Sequence, residues 1–305
     1  MSAIILHHYP MSPFAEKARA MLGFKQLAWH SVTIPSIMPK PDVIALTGGY
    51  RRTPVMQIGC DVYCDTALMA QVLECLHPLP ALVPLGEAAS IGMQAAWADS
   101  MGFAMGVSYA MQPAGLANMF AGAKPEQMAA FAADRKAFRE GASIPRMPLE
   151  AGSAVLHNLL AALDVQLSDG RAFLHGSAPD LVDFCLYNPL WFIARAKVDA
   201  VIQAKPLVSA WLARIAAIGH GKPEAMSSEA ALAVCAAATP AALDACDDPL
   251  LGQQVAIAAT DYGIDPSTGK LVGAYLNEWV IERHDPRAGR VRVHFPRMGF
   301  ALKVV

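Results

Sequence analysis

Strand-like and helix-like segments are segregated along this chain, and their order constrains the fold more than any other feature. Between residues 3 and 76, short apolar runs alternate with amphipathic helical segments in the order β-α-β-α-β-β-α. From residue 87 to about residue 220 the strand signals disappear, and apolar residues recur at helical spacing. Toward residue 305 the apolar residues alternate again. The sequence therefore predicts an α/β unit, a helical unit and a final β-rich segment.

The first unit, residues 1–77, combines a βαβ half with a ββα half. Its helices include FAEKARAMLGF, which follows Ser12-Pro13, and DTALMAQVLECL, which follows the fourth strand. Two such halves on one sheet form a thioredoxin-like α/β layer. The proline-rich run HPLPALVPLG at 77–86 ends this unit. We therefore expect a thioredoxin-like N-terminal domain.

The remaining chain is expected to form two further parts, an all-helical bundle over residues 87–220 and a small β-meander over residues 240–305. The β-rich segments of the meander are separated by the turn sequences DPSTGK and DPRAG. Alternate apolar residues predict that one face of this extension is buried. These residues are Val255, Ile257, Val280, Val291 and Val293.

Composition excludes several classes of function. Charged residues make up only 16% of the chain, below the ~25% of average globular proteins, so a partner-covered surface and an oligomer are expected. With 24 Lys and Arg against 26 Asp and Glu, the net charge of −2 gives no support for nucleic-acid or anionic-membrane binding.

We find no signal-peptide pattern and no apolar run of ~18 residues, and expect a cytoplasmic protein without membrane segments. The six cysteines lack C-x-x-C or metal-ligand spacing, so no disulfide and no metal are expected.

Four motifs fall at boundaries between the predicted elements. They are YPMSPFAEKAR at 9–19, RRTPVMQIG at 51–59, YCDT at 63–66 and PDLVDF at 179–184. Together, and in this order, they resemble the cytosolic glutathione S-transferase family, in particular bacterial members with an omega-like N-terminal motif. The resemblance covers roughly residues 3–220 and leaves the β-rich extension outside. It implies an enzyme that uses glutathione as co-substrate, without a metal, and conjugates its thiolate to a small electrophilic apolar substrate.

Ser12 occupies the position that the resemblance assigns to catalysis. It lies between the first strand and the first helix, where a serine also suits the role of N-cap before Pro13. A hydroxyl and a helix N-terminus there would favour the thiolate of a bound thiol. Tyr9 is the rival, because other branches of the family activate the thiol with a tyrosine at the end of this strand, although it also suits packing on the sheet. Omega-like members carry cysteine at the place of Ser12, so mixed-disulfide chemistry is disfavoured here.

The resemblance also implies a set of glutathione-binding residues. Thr53-Pro54 resembles the family's cis-proline turn, after which Val55 would pair in a strand-like manner with the cysteinyl backbone. Arg51 or Arg52 would meet the glycine carboxylate, although exposed arginines are commonly just solvated. The full set of implied glutathione-binding residues is Phe14, Arg52, Thr53, Pro54, Val55, Asp65 and Thr66.

Asp65-Thr66 lies at the start of the third helix of the first unit. Free N–H groups at helix N-termini bind carboxylates, so Thr66 would hold the γ-glutamyl carboxylate and Asp65 would face the α-amino group. Asp65 also suits a simple N-cap. Asp180-x-x-Asp183 resembles the family's capping box, which is a folding element.

Two other functions are alternatives to conjugation. A non-catalytic protein of the same fold could bind glutathione or apolar ligands without turnover. A thiol-disulfide reductase is disfavoured because position 12 is not a cysteine.

Overall fold

The N-terminal elements follow the predicted order. The computed structural model describes residues 3–305, and its first domain has the βαβ and ββα halves of a thioredoxin-like layer. Proline at the first helical position opens both α1 and α2, where its missing N–H costs nothing. The elements are β1 (Ile4–His8), α1 (Pro13–Phe24), β2 (Ala28–Thr33), α2 (Pro41–Thr47), β3 (Val55–Ile58), β4 (Asp61–Cys64) and α3 (Thr66–Leu76).

The second domain is helical, as the sequence predicts. The first long predicted helix is divided by a π-helical turn at Ala98–Gly102, and two short helices were not predicted, α6 and α10. A 3₁₀ turn at Leu167–Asp169 ends α8. The helices are α4 (Ala88–Trp97), α5 (Phe103–Ala110), α6 (Pro113–Met119), α7 (Pro125–Ala137), α8 (Leu149–Gln166), α9 (Leu181–Arg195), α10 (Ala200–Gln203) and α11 (Pro206–Ile218).

The C-terminal strands continue the sheet of the first domain. The ten strands follow the order β10-β6-β7-β8-β9-β4-β3-β1-β2-β5. The elements after α11 are β5 (Lys222–Ala225) and α12 (Ser228–Ala237), followed in the extension by β6 (Gln254–Ala259), β7 (Ser267–Ala274), β8 (Glu278–Asp285), β9 (Gly289–Pro296) and β10 (Phe300–Val304). The strands of the extension are antiparallel to one another, while β9 runs parallel to β4 and β5 runs parallel to β2.

Apolar cores lie on both faces of this sheet. One face packs against the helical domain, where Phe184 and Trp211 are fully buried. The other face packs under α2 and α12, with Leu46 and Leu232 in its core. Val255, Ile257, Val291 and Val293, predicted for the buried face of the extension, lie in this second core and are 0% exposed. The prediction is confirmed for these four residues, and the extension shares a core with the thioredoxin-like domain. Val280 is also buried, but it lies on the opposite face in register with His294, because Ile281 takes the core position beside Val293.

The predicted capping box at the start of α9 is confirmed. The Asp180 carboxylate accepts a hydrogen bond from the Val182 N–H, and the Asp183 carboxylate accepts one from the Asp180 N–H. Asp183 also accepts from the buried Trp211 indole at 2.7 Å, which fixes α11 against α9. Within residues 3–305, no helix is both long and apolar enough to cross a membrane.

Candidate functional site

The loop between β1 and α1 places the Ser12 hydroxyl at a helix N-terminus. Ser12 caps α1, since its Oγ accepts from the Ala15 N–H at 3.2 Å. The same hydroxyl donates to the Thr53 carbonyl at 3.5 Å, a long and weak hydrogen bond. Ser12 is only 2% exposed. The hydroxyl thus lies between the first turn of α1 and the loop before β3.

Tyr9 and Ser12 are close neighbours. The Ser12 N–H donates to the Tyr9 carbonyl at 3.1 Å. Burial raises the pKa of the Tyr9 phenol, against the opposing effects of Arg135 and the Ser12 hydroxyl. The Tyr9 ring also lies 5.6 Å from the Lys40 Nζ. A raised pKa keeps this phenol protonated at neutral pH. Tyr9 can therefore donate a hydrogen bond as a neutral hydroxyl, but it does not act as a phenolate.

A buried network behind this loop fixes its backbone. Arg19 on α1 donates to the Pro10 carbonyl at 3.1 Å and to Glu16 at 2.6 Å. The Arg19 guanidinium also contacts the His8 Nδ1 at 2.9 Å. Burial, followed by the charge of Arg19, lowers the pKa of His8 to about 4, so His8 is a neutral acceptor. The network thus holds the backbone of the loop at Pro10.

The loop before β3 contains the predicted cis bond, between Thr53 and Pro54. Val55 is the first residue of β3, is fully buried, and lies in register with His7 of β1 and Cys64 of β4. Its backbone therefore lies inside the sheet. Thr53 is half-buried, and among residues 3–305 its N–H has no hydrogen-bond acceptor. The Thr53 N–H, next to the cis bond, is therefore available to pair with a ligand.

The two arginines predicted to meet a glycine carboxylate both have protein partners. Arg52 forms an ion pair with Asp261 and donates to the Tyr262 carbonyl. Arg51 pairs with Asp134 of α7 at 2.5 Å. Both acidic partners are far away in the sequence, so no local pattern could reveal these pairs. These contacts engage both guanidinium groups, and only the Arg52 Nε is buried without a partner among residues 3–305.

Lys40, which no sequence motif indicates as a site residue, lies beside the same loop. Its Nζ donates to the Thr53 Oγ1 at 2.9 Å and to the Arg51 carbonyl at 3.3 Å. It is only 4% exposed. Burial, assisted by the charge of Arg135, lowers its pKa to about 8. Lys40 is thus a buried cation without a carboxylate of its own.

The N-terminus of α3 forms the far end of the site. Asp65 has a φ of +76° and caps the helix, accepting from the Ala67 N–H at 2.9 Å. Thr66 is 4% exposed, and its Oγ1 accepts from the Lys17 Nζ at 3.2 Å. Because an ammonium group can only donate, the Thr66 hydroxyl keeps its own proton free for another acceptor.

Lys17 connects this end of the site to the helical domain. Its Nζ donates to the Asp99 Oδ2 at 2.5 Å, while the Asp99 Oδ1 is buried and has no partner among residues 3–305. Burial alone would lower the pKa of Lys17, but the Asp99 carboxylate outweighs it and the pKa is raised. Asp99 lies in the π-helical turn, a distortion that is frequent at functional sites. No local sequence pattern indicates that either residue belongs to the site.

An apolar contact closes the side of the site that faces the helical domain. The Phe14 ring of α1 packs on the Phe103 ring of α5 with centroids 4.4 Å apart. Both rings are half-buried. Among residues 3–305, no group of three or more His, Cys, Asp or Glu side chains is arranged to hold a metal ion. The arrangement suits an anionic peptide on one side and an apolar compound on the other.

Comparisons with known proteins agree with this architecture. Residues 6–81 match the family model for the glutathione S-transferase N-terminal domain, and residues 146–214 match the model for its C-terminal domain. A GST-like protein from Pseudomonas syringae, with a crystal structure, is 42% identical, covers 100% of both chains and has a TM-score of 0.81. The chain belongs to the glutathione S-transferase family.

More distant solved structures share the fold over part of this chain. A glutathione S-transferase from Rhodospirillum rubrum F11 is 20% identical, covers 70% of this chain and 87% of its own, and has a TM-score of 0.52. A glutathione transferase family member from Pseudomonas fluorescens Pf-5, with two glutathione molecules bound, is 17% identical over 71% of this chain and 89% of its own, with a TM-score of 0.51. No curated protein matches this chain.

Proposed function

We propose that this member of the family is a glutathione transferase that adds the glutathione thiolate to a small electrophilic apolar substrate. The observation that carries the proposal is the Ser12 hydroxyl at the N-terminus of α1, facing the Thr53 carbonyl of the cis-proline loop. The contact of 3.5 Å is weak, so the hydroxyl can turn toward a better acceptor such as a thiolate. Ser12 is then the catalytic residue that stabilises the thiolate.

Lowering a thiol pKa by about two units requires roughly 2.7 kcal/mol of preferential stabilisation of the thiolate. A charge-assisted hydrogen bond from Ser12 and the N-terminus of α1 together have this magnitude. Addition of a thiolate to an activated carbon needs little further chemical assistance when the two reactants are held together. The Phe14 and Phe103 rings would form the apolar surface against which the electrophile lies.

The remaining groups suit the three parts of glutathione. The free Thr53 N–H would pair with the cysteinyl backbone in a strand-like manner, a role that the buried backbone of Val55 fits less well. Lys40 would take the glycine carboxylate, since Arg52 is paired with Asp261. The Thr66 hydroxyl would donate to the γ-glutamyl carboxylate.

Two acidic side chains suit the α-amino group of the γ-glutamyl residue: Asp65 at the N-terminus of α3 and Asp99 in the π-helical turn. Asp65 caps this helix and is half-buried. The Asp99 Oδ1 is buried without a partner among residues 3–305, which gives the ammonium a second acceptor. An ammonium group placed there would donate a hydrogen bond to that oxygen, which is otherwise buried without a donor.

We also propose that the protein works as a homodimer. Along α4 and the π-helical turn, Met93, Trp97 and Met101 are 70%, 40% and 45% exposed. Their spacing of four residues puts them on one helical face. A stripe of large exposed apolar side chains is typical of a covered interface. Sedimentation of a Trp97→Glu variant as a monomer, against a dimeric parent protein, would support this interface.

The cytoplasm is the compartment that we propose for this activity. All six cysteines are free thiols, and four of them are buried. Buried free thiols are common in proteins of reducing compartments, where glutathione is also kept reduced.

Ultraviolet titration of bound glutathione, combined with steady-state conjugation of an activated aryl halide, tests the proposed activity. We expect a bound thiol whose pKa lies well below that of free glutathione, together with measurable turnover. Binding without a lowered thiol pKa and without turnover would favour the second candidate, a non-catalytic glutathione-binding protein. The low exposure of Ser12, which is already engaged by two protein groups, is the observation that favours this alternative.

A further inference from the structure

The loop that precedes β3 is held by residues of the C-terminal extension. The Tyr50 N–H donates to the Ser267 Oγ at 3.1 Å, and both groups are buried. Arg52 pairs with Asp261. Gly49 lies so close to the Pro266 carbonyl that a Cβ at this position would overlap it. Gly49, Tyr50 and Arg52 thus all contact one short segment, residues 261–267.

The same segment is also attached to the helical domain. The Gly263 N–H donates to the Phe138 carbonyl at 2.8 Å, just after α7. The Asp261 carbonyl accepts from the Ser143 N–H at 2.8 Å. The Phe138 and Tyr262 rings pack edge to face with centroids 5.4 Å apart. Residues 261–267 therefore link the loop before β3 to the end of α7.

Helix α7 contributes little packing of its own to this side of the site. Asp134 is the buried residue of α7, and it accepts from Arg51 at 2.5 Å and from the Met38 N–H at 2.9 Å. The guanidinium of Arg52 stacks on the Tyr262 ring at 4.4 Å from its centroid. The position of the loop therefore depends on polar contacts that come from α7 and from the extension.

We propose that residues 261–267 are a positioning element for the glutathione site, with Asp261 as its main residue. The proposal rests on the proposed function and deepens it. Asp261 acts through Arg52 on the adjacent Thr53, whose backbone would pair with the cysteinyl group. Ser267 acts in the same way through the backbone of Tyr50. The extension thus shapes the ligand site, in addition to completing the sheet.

The contacts distinguish this role from a general contribution to stability. The ion pair of Glu282 with Arg290, at 2.7 Å, lies within the extension and makes no contact with the loop before β3. Glu282→Gln therefore removes a carboxylate from an arginine pair without touching the site. It is a matched control for Asp261→Asn, and Ser267→Ala is a milder second variant of the segment.

The experiment measures hydrogen–deuterium exchange of residues 49–55 and glutathione affinity in the full-length protein and these three variants. We expect Asp261→Asn to raise both loop exchange and the glutathione Kd about tenfold, the effect of one lost hydrogen bond. Ser267→Ala should act in the same direction, and Glu282→Gln should change neither quantity. Unchanged loop exchange in both Asp261→Asn and Ser267→Ala would overturn the positioning role. If the parent protein does not bind glutathione, the proposed function fails, while loop exchange still decides whether the segment positions the loop.

Discussion

The Lys17 ammonium donates to the Asp99 carboxylate at 2.5 Å and joins the first helix of the thioredoxin-like domain to the π-helical turn of the helical domain. The Lys17 side chain is 1% exposed. A cation buried to this extent is stable only because it has a paired anion and further hydrogen-bond acceptors. The Thr66 hydroxyl is one of these acceptors. The ion pair therefore couples the domain interface to the predicted γ-glutamyl site.

Replacing Lys17 by methionine should destabilise the protein and weaken glutathione binding together. The variant leaves Asp99 buried without its partner, and we expect the free energy of unfolding to fall by about 3 kcal/mol. Urea denaturation and calorimetric titration would measure the two effects. In the double variant Lys17→Met/Asp99→Leu, stability should recover in part while affinity stays low. A single variant as stable as the parent protein would contradict this account.

The local elements of the site could be predicted from the sequence. Ser12-Pro13 and Asp65-Thr66 carry local signals for helix starts, because capping depends on the residues of a single turn. The alternation in the extension likewise predicted a buried face. Each of these features depends on neighbouring residues, so the sequence contains the information directly.

The contacts that complete the site were not predictable in this way. Lys17 looks like a solvated helix residue until Asp99, 82 positions later, makes it part of a buried pair. Arg52 looks free until Asp261 pairs with it. Strand β5 (Lys222–Ala225) has no apolar alternation and contains a proline, so only its pairing with β2 reveals it. Sequence periodicity cannot show which distant elements meet.

Deleting residues 240–305 should cause aggregation. The deletion removes β9, the parallel neighbour of β4, and exposes an unpaired strand edge together with the core under α2 and α12. Size-exclusion chromatography and soluble yield would measure the outcome. Removal of Val304 and Val305 alone, which are 53% and 69% exposed, is the control and should be tolerated. A soluble truncated protein with an unchanged Tm would show that the extension is an independent appendage.

His294 should stabilise the junction between β4 and β9 in a pH-dependent way. Burial alone would lower its pKa, but hydrogen bonds with Asp61 at 3.1 Å and Glu278 at 3.3 Å outweigh burial, so its pKa is raised. A raised folded-state pKa means that the stabilisation is fully present below the unfolded value of ~6.5 and is lost as the pH rises through the folded value.

The variant His294→Gln tests this dependence. Its deficit in free energy of unfolding should be largest near about pH 6 and should shrink as the pH is raised toward about pH 9, because folded His294 loses its proton as the pH passes through its raised pKa. Urea titrations of the parent protein and the variant at both pH values provide the measurement. A deficit that is constant with pH would mean that His294 contributes packing only.

Thr66 should be needed for glutathione affinity, whereas Asp180 should be needed for stability alone. Thr66→Val removes a hydroxyl that is free to donate to an anionic ligand, so we expect glutathione affinity to fall by ~1.5–3 kcal/mol. Asp180→Ala removes one half of the α9 capping box and should lower stability by about 1–2 kcal/mol, with affinity unchanged. Calorimetric titration and thermal unfolding of both variants test the separation. Undiminished affinity in Thr66→Val would remove Thr66 from the site.

Ser12 caps α1 and is proposed to donate a hydrogen bond to the bound thiolate, and a single substitution removes both functions. Ser227 caps α12 in the same geometry, accepting from the Ala230 N–H at 3.1 Å, and it lies far from the site in the sequence. The variant Ser227→Ala therefore measures the loss of a cap alone, about 1 kcal/mol of stability. The difference between Ser12→Ala and Ser227→Ala isolates the effect of the hydroxyl on the bound thiol.

Ser12→Ala should reduce turnover more than affinity. Loss of a hydrogen bond used mainly by the thiolate costs on the order of 2–3 kcal/mol, about 30- to 150-fold in kcat/KM at neutral pH. Part of the rate should return as the pH rises, because alkaline solution ionises the thiol without help from the protein. Tyr9→Phe should cost much less, since burial keeps the Tyr9 phenol protonated and Ser12 lies closer to the helix N-terminus. Ultraviolet titration of bound glutathione decides between the two residues: a thiol pKa that rises in Tyr9→Phe and stays low in Ser12→Ala would assign thiolate stabilisation to Tyr9.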